Sequence, residues 1–197
     1  MKNLLSVAVL VAICVGAMSA QTDGGFEPQA WAYPVMDEGR GRGPDDGTLH
    51  SVEGSDLQLT QTQINNPFAP PDWYPDEHPP MPDVVAHGRE PMVNACAQCH
   101  LPHGAGHPES AGLAGLPAAY IVEQMLAYQT GTRKSLVAAR SASMIRIAGD
   151  MSEDEMRIAA EYFASLPPVK WITVIEADMV PETYVGAGNM RHAERGG

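Results

Sequence analysis

Cysteine is scarce in this chain: three in 197 residues, at positions 14, 96 and 99. So few thiols exclude a disulfide-built scaffold. Basic residues are also few, with 12 Lys+Arg against 24 Asp+Glu and a formal net charge of −12. That balance argues against nucleic-acid binding and against docking on anionic lipid. Beyond the first residues no apolar stretch approaches the ~20 residues that span a bilayer, and no internal repeat is visible. Signatures of substrate chemistry are missing too. Gly41 to Gly43 is no phosphate loop, because no strand precedes it and no Lys-Ser/Thr follows. The acidic pairs Asp45-Asp46 and Asp76-Glu77 read as solvated turns, and no Ser/His/Asp arrangement stands out.

Two of the three cysteines stand together in Cys96-Ala97-Gln98-Cys99-His100. Thiols three residues apart on a helical turn face the same way, so each can add to one vinyl group of a porphyrin. His100, directly after the second thiol, can then ligate the iron as proximal base. The pattern is that of a covalent attachment site for one haem c. Cys14 does not compete. It lies in a segment with a short positive start at Lys2-Asn3, an apolar run from Leu4 to Val15 and small residues to Ala20. This is the pattern of a secretory signal peptide over residues 1–20, cleaved near Ala20. A membrane anchor would need a longer run. A lipoprotein would need a small residue in place of Ile13 before Cys14. Export suits the haem reading, because c-type haem is attached outside the cytoplasm, and the expected location is the periplasm.

The rest divides by composition. Residues 21–82 form an acidic, Pro/Gly-rich arm, with Gly39-Arg40-Gly41-Arg42-Gly43-Pro44 and Pro70-Pro71-Asp72-Trp73-Tyr74-Pro75 as typical stretches. Trp31, Tyr33, Phe68, Trp73 and Tyr74 are costly to leave in water, so the arm is expected to be extended and partly ordered against the haem domain. Residues 83–168 are helical, and residues 169–197 form a short, irregular C-terminal extension. Around the haem motif the charge turns weakly positive, with 4 basic and 2 acidic residues over 96–148, while both flanks stay strongly negative.

Within the helical part, Asp83 is expected to cap a short helix, Val84 to His87, ended by Gly88. Cys96 to His100 is placed near the end of a second helical segment. Pro117 opens a helix from Ala118 to Tyr128 with Ile121, Met125 and Tyr128 on one face, and Gly131 stops it. Ser152-Glu153-Asp154-Glu155 is a capping box. It starts a helix through Ala159, Tyr162, Phe163 and Leu166 that ends at Pro167-Pro168. Trp171 to Ile175 alternates weakly, as a short strand would.

The sixth iron ligand decides the kind of haem site. A methionine or histidine there makes an electron carrier, and an open position permits ligand binding or peroxide chemistry. Met144 is the favoured residue, placed by the sequence in a connecting segment between two helices. Met125 and Met156 are read as packing, and Met151, just before Ser152, as a hydrophobic staple. Among histidines, His87 is the rival ligand, His103 and His107 lie too close to the proximal position, and His50, His78 and His192 read as ordinary. Arg133, Lys134, Arg140 and Arg146 could meet haem propionates or an acidic partner.

With these residues in view, the chain resembles the class I, c5/c4-like c-type cytochromes. The likeness rests on Cys96-Ala97-Gln98-Cys99-His100 with Gly104 and Gly106, and on Leu113-Ala114-Gly115-Leu116-Pro117. It continues through Tyr120, Gln124-Met125, Gly131-Thr132-Arg133, Met144 to Ala148 and Ser152 to Leu166. It covers about residues 83–168. The resemblance implies an all-α helical domain around one covalently bound haem, with Met144 as distal ligand and the final helix crossing the first. Family members often carry a proline two residues before the Leu-Ala-Gly, whose carbonyl accepts the Nδ1–H of the proximal histidine. Here that place is Ala111, and a backbone carbonyl remains available.

The expected function is one-electron transfer between redox partner proteins, with Cys96 and Cys99 as anchors and His100 and Met144 as axial ligands, and no enzymatic step of its own. Two alternatives stand beside it. One is a cytochrome subunit of a larger dehydrogenase or membrane complex, which the long flanks favour. The other is a haem enzyme or gas sensor with a labile distal ligand.

Overall fold

Residues 38–41, 43–168, 170, 172–186 and 190–194 are described by the computed structural model. The expected signal peptide with Cys14, the arm residues Trp31 and Tyr33, and Trp171 lie outside them. The architecture is mostly helical, in agreement with the all-α expectation: α1 (Gln61–Ile64), α2 (Asp83–Ala86), α3 (Ala97–His100), α4 (Ala118–Gln129), α5 (Ala138–Asp150) and α6 (Glu153–Ser165), followed by β1 (Thr183–Val185) and β2 (Arg191–Ala193). No helix among the described residues is long and apolar enough to cross a membrane.

Helices α4 and α6 begin and end close to where the sequence puts them. Pro117 is the cap residue of α4, and Gly131 follows its end with φ +73°. The start of α6 is a full capping box. Ser152 Oγ accepts from the Glu155 N–H at 3.2 Å, and the Glu155 carboxylate accepts from the Ser152 N–H at 2.8 Å. Met151 and Met156 flank that cap in the hydrophobic-staple positions, and both are buried in the core.

Three local expectations are corrected. Asp83 is the first residue of α2 and makes no side-chain cap, since Pro82 holds the cap position. The haem motif is a single helical turn of its own rather than the end of a longer helix. The segment expected to connect two helices around Met144 is itself the 13-residue helix α5. Helix α5 has no side-chain cap at Val137 and no acidic first turn, so the start signals are missing from its sequence. Tertiary burial of Ser141, Ile147 and Ala148 makes up for the weak start.

The core lies where α4 packs on both α5 and α6, with α2 laid against α6. Phe163, Met156, Val85 and Val93 are its largest fully buried side chains. Burial of one such side chain is worth roughly 1.5–3 kcal/mol. Outside it, α1 sits in the arm under a Thr60 capping box. The arm also makes main-chain contact with the helical part, as Pro67 O accepts from the Ala95 N–H at 2.9 Å.

The C-terminal region departs from expectation at both ends. Residues 172–175 form no strand and are exposed, whereas β1 and β2 pair as an antiparallel hairpin with Tyr184 opposite His192. Those two rings stack at 5.1 Å. The Arg40 guanidinium lies 4.0 Å over Tyr184 and bonds Glu194 at 2.8 Å, so the arm is tied to the hairpin.

Arg89 closes the α5–α6 corner, donating to Glu155 through Nε at 2.9 Å and to the Asp150 carbonyl at 2.7 Å. The Arg89 guanidinium holds the Glu155 carboxyl at about 2 against an ordinary 4.5. Burial opposes the shift, and the Ser152 N–H and hydroxyl add to it. The folded-state value lies below the unfolded one. The stabilisation is therefore complete above about pH 4.5 and drains away as pH falls towards about 2. Glu155→Gln keeps the capping geometry but removes the charge. Thermal unfolding across that acid range is expected to lose part of its pH dependence in the variant, and a slope equal to wild type would contradict this role.

Candidate haem-binding site

The motif turn is presented by strict local geometry. Cys96 caps α3, Ala97 to His100 complete one turn, and Leu101 reverses the chain with φ +64°, a conformation uncommon for a residue with a side chain. Both cysteines are free thiols. Cys96 Sγ donates to the Val84 carbonyl at 3.4 Å, and burial pushes its thiol up to about 12. Burial, then Glu109, also raises Cys99. Both residues are half-buried and their thiols are held protonated, a state that does not suit thiolate ligation of a metal.

His100 is held on two sides. Its Nδ1 lies 2.8 Å from the Ala111 carbonyl, which fixes a proton on Nδ1 and leaves Nε2 free as a ligand atom. The carbonyl expected at Ala111 is therefore in place without the proline of the family pattern. Phe163 packs edge-on against the ring, with centroids 6.1 Å apart. Burial lowers the basicity of His100, the Ala111 carbonyl opposes that shift, and His107 adds to it. A neutral imidazole results, the form that ligates a metal. Among the described residues no group of three or more His, Cys, Asp or Glu side chains is placed to hold a metal ion by itself.

The loop that brings Ala111 back to His100 turns on glycines. Gly106 has φ +79°, and its N–H donates to the His100 carbonyl at 3.0 Å. A Cβ there would collide with Ser110 O and sit 2.7 Å from the carbonyl carbon of Ala111. Gly104 O anchors the return, accepting from Leu113 N–H at 2.7 Å.

Cys96, Cys99 and His100 open onto a cavity of about 570 Å³ that also has Met144 on its wall. Its size falls in the range of cofactor sites, ~300–1,000 Å³. Helix α4 contributes Tyr120, Ile121 and Met125, α5 contributes Arg140 and Ile147, and α6 contributes Met156 and Phe163. The site thus fits haem c on its own chemistry: two thiols, a histidine with one nitrogen committed, a methionine and a mostly apolar lining. Met125 and Met156, read from sequence as packing, are in the core and face this cavity as well.

The remaining candidates separate clearly. No other histidine is on the cavity wall. His87 is exposed at the end of α2, and His103 and His107 line a different, smaller cavity. Arg133 and Arg140 line the haem-sized cavity. Arg133 stacks 4.7 Å over Tyr128 and donates to Gln124 at 2.7 Å. Lys134 is not on the wall. Arg146 instead binds Met92 O and Asn94, bracing the chain before Cys96. Sequence reasoning missed the contact of Phe163 with His100. It also missed Tyr162, whose buried hydroxyl donates to Pro102 O at 2.7 Å, and His78, which meets that hydroxyl at 3.2 Å. Helical spacing marks Tyr162 and Phe163 as core, but nothing local marks the tie to His78.

No protein-family model matches the chain. A protein named "Thiosulfate dehydrogenase electron acceptor" from Stutzerimonas stutzeri (strain A1501) is 35% identical over 105 aligned residues, covering 44% of this chain and 47% of that protein. Among solved structures, reduced recombinant cytochrome c4 from Pseudomonas stutzeri is 26% identical, with TM-score 0.36, over 40% of this chain and 42% of that one. Thiosulfate dehydrogenase (TsdBA) from Marichromatium purpuratum is 33% identical, with TM-score 0.35, over 50% and 21%. The chain spans about half the length of the curated relative it matches.

The glycine geometry gives a test of opposite signs. Gly106→Ala forces a side chain into the left-handed region and against Ser110 and Ala111, at an expected cost of about 1–3 kcal/mol. Gly149→Ala, in α5 with nothing within 4 Å of the added carbon, is expected to stabilise by about 0.5–1 kcal/mol. Chemical denaturation of both variants checks the pair, and equal effects would refute the loop's role.

Proposed function

We propose that the chain is an exported, periplasmic single-haem c-type cytochrome that carries one electron between redox proteins. The observation that carries this reading is the cavity whose wall includes Cys96, Cys99, His100 and Met144. Bound haem c would supply the one-electron iron couple. Cys96 and Cys99 would anchor the porphyrin, and His100 would offer Nε2 to the iron while the Ala111 carbonyl holds its ring still. Met144 would fill the distal position from α5. A rigid helix on that side and a hydrogen-bonded ring on the other keep both ligands in place as charge changes, which suits electron transfer better than bond-making chemistry. Arg133 and Arg140 are placed to meet propionates.

The relative's name supports an electron-accepting role, with a dehydrogenase of the thiosulfate-oxidising kind as the donor class. A second reading, a subunit held in a larger redox complex, is favoured by one feature. Residues 172–180 are exposed and carry Val174, Ile175 and Met179 at 85%, 80% and 87% exposure. Size-exclusion of the native protein separates the two, through a monomer or a co-eluting partner.

The ligand assignment is tested on the reduced, exported holoprotein with carbon monoxide. Wild type is expected to carry one haem by mass and to leave its spectrum unchanged on exposure to the gas. Met144→Ala is expected to bind carbon monoxide promptly. A prompt adduct in wild type would instead move the labile-ligand enzyme or sensor ahead.

A further inference from the structure

The arm brings one titratable side chain deep into the protein. His78 has only 4% of its side chain exposed and lines, with Trp73, Gln98 and Pro102, a cavity of about 200 Å³ against α3. Its Nε2 is 3.1 Å from the Asp72 carboxylate. Its Nδ1 is 2.9 Å from Pro79 O and 3.2 Å from the Tyr162 hydroxyl oxygen. The Tyr162 proton is already committed, because that hydroxyl donates to Pro102 O at 2.7 Å. Every polar neighbour of the His78 ring is therefore an acceptor, and only a ring with hydrogen on both nitrogens satisfies them all.

From this ring a short stack leads to the proximal ligand. His78 meets Tyr162 edge-on at 6.5 Å, Tyr162 meets Phe163 at 5.3 Å, and Phe163 meets His100 at 6.1 Å. Pro102, the acceptor for Tyr162, lies two residues past His100. Tyr162 and Phe163 are buried, so a charge on His78 is poorly screened along this path. The other titratable groups around it are Asp72 on the arm, Tyr162 on α6, and His103 and His107 on the loop that shares the cavity.

We propose that His78 sets part of the haem's reduction potential: its ring charge, carried in by the arm and held by Asp72, favours the reduced iron. This inference rests on the haem reading above. The electron arrives from the donor protein, and no covalent bond is made or broken. Reduction lowers the charge at the iron by one, so a nearby positive ring is better tolerated in the reduced protein. Removing the ring charge therefore disfavours the reduced iron and lowers the potential.

The test uses the full exported holoprotein and two readouts. Optical redox titration is expected to give a lower potential in His78→Gln than in wild type. Nitrogen NMR of the wild-type His78 ring is expected to show hydrogen on both ring nitrogens. An unchanged potential in His78→Gln, or a ring with hydrogen on one nitrogen only, overturns the proposal. Should the variant fail to take up haem, the wild-type ring signal decides alone. A wild-type chain that carries no haem overturns both readings, whereas a haem-loaded chain whose potential ignores His78 overturns only this one.

Discussion

A histidine can serve a metal in one orientation only if its other ring nitrogen is committed elsewhere. In this protein the 2.8 Å contact between His100 Nδ1 and the Ala111 carbonyl makes that commitment. The rest of the site is arranged to deliver the carbonyl. Residues 101–110 must leave α3, turn and return within ten residues. Leu101, Gly104 and Gly106 all take positive φ to do so. The return strand of the loop is pinned through Gly104 O, and Gly115 N–H bonds Phe163 O at 3.0 Å, which fastens the loop's exit to α6. The same helix supplies the Phe163 ring that packs on His100. One residue thus connects the loop, the ligand and the helical core.

The helices act as walls for a space that is not filled by side chains. Helices α4, α5 and α6 pack together, yet leave a cavity large enough for a cofactor beside the motif turn. Native interiors are close-packed, so a void of that size lined by thiols and a neutral imidazole is a feature to be occupied. Burial keeps Cys96 protonated and therefore protects it from adventitious oxidation.

The parts of this structure legible in the sequence are those with local causes. The capping box at Ser152, the proline start at Ala118 and the Cys96 to His100 spacing each act within four residues, and each is found where the residues place it. Helix α5 was not legible, because Val137 offers no cap and its residues are held by distant partners rather than by start signals. The C-terminal hairpin escaped for a related reason: its three-residue strands are fixed by Tyr184 on His192 and by Arg40 from the other end of the chain. His78 is the sharpest case. Its neighbours in sequence are prolines and acids, typical of a solvated arm, and its significance comes from Tyr162, 84 positions away.

The two flanks are held in different ways. The arm is joined to the helical part by main-chain and buried side-chain bonds: Pro67 to Ala95, and His78 to Tyr162. Residues 172–180, by contrast, are exposed throughout and carry large apolar side chains outward. Ordering a chain costs about 1–2 kcal/mol per residue. A segment that buries nothing within its own chain has little to offset that cost, while the arm offsets it by closing over Tyr162 and the proximal loop. The arm is therefore packed into the helical part, whereas residues 172–180 are exposed surface. The proposed electron carrier would use such a division: a closed environment around its ligands, and separate surface on which partners could act without disturbing them.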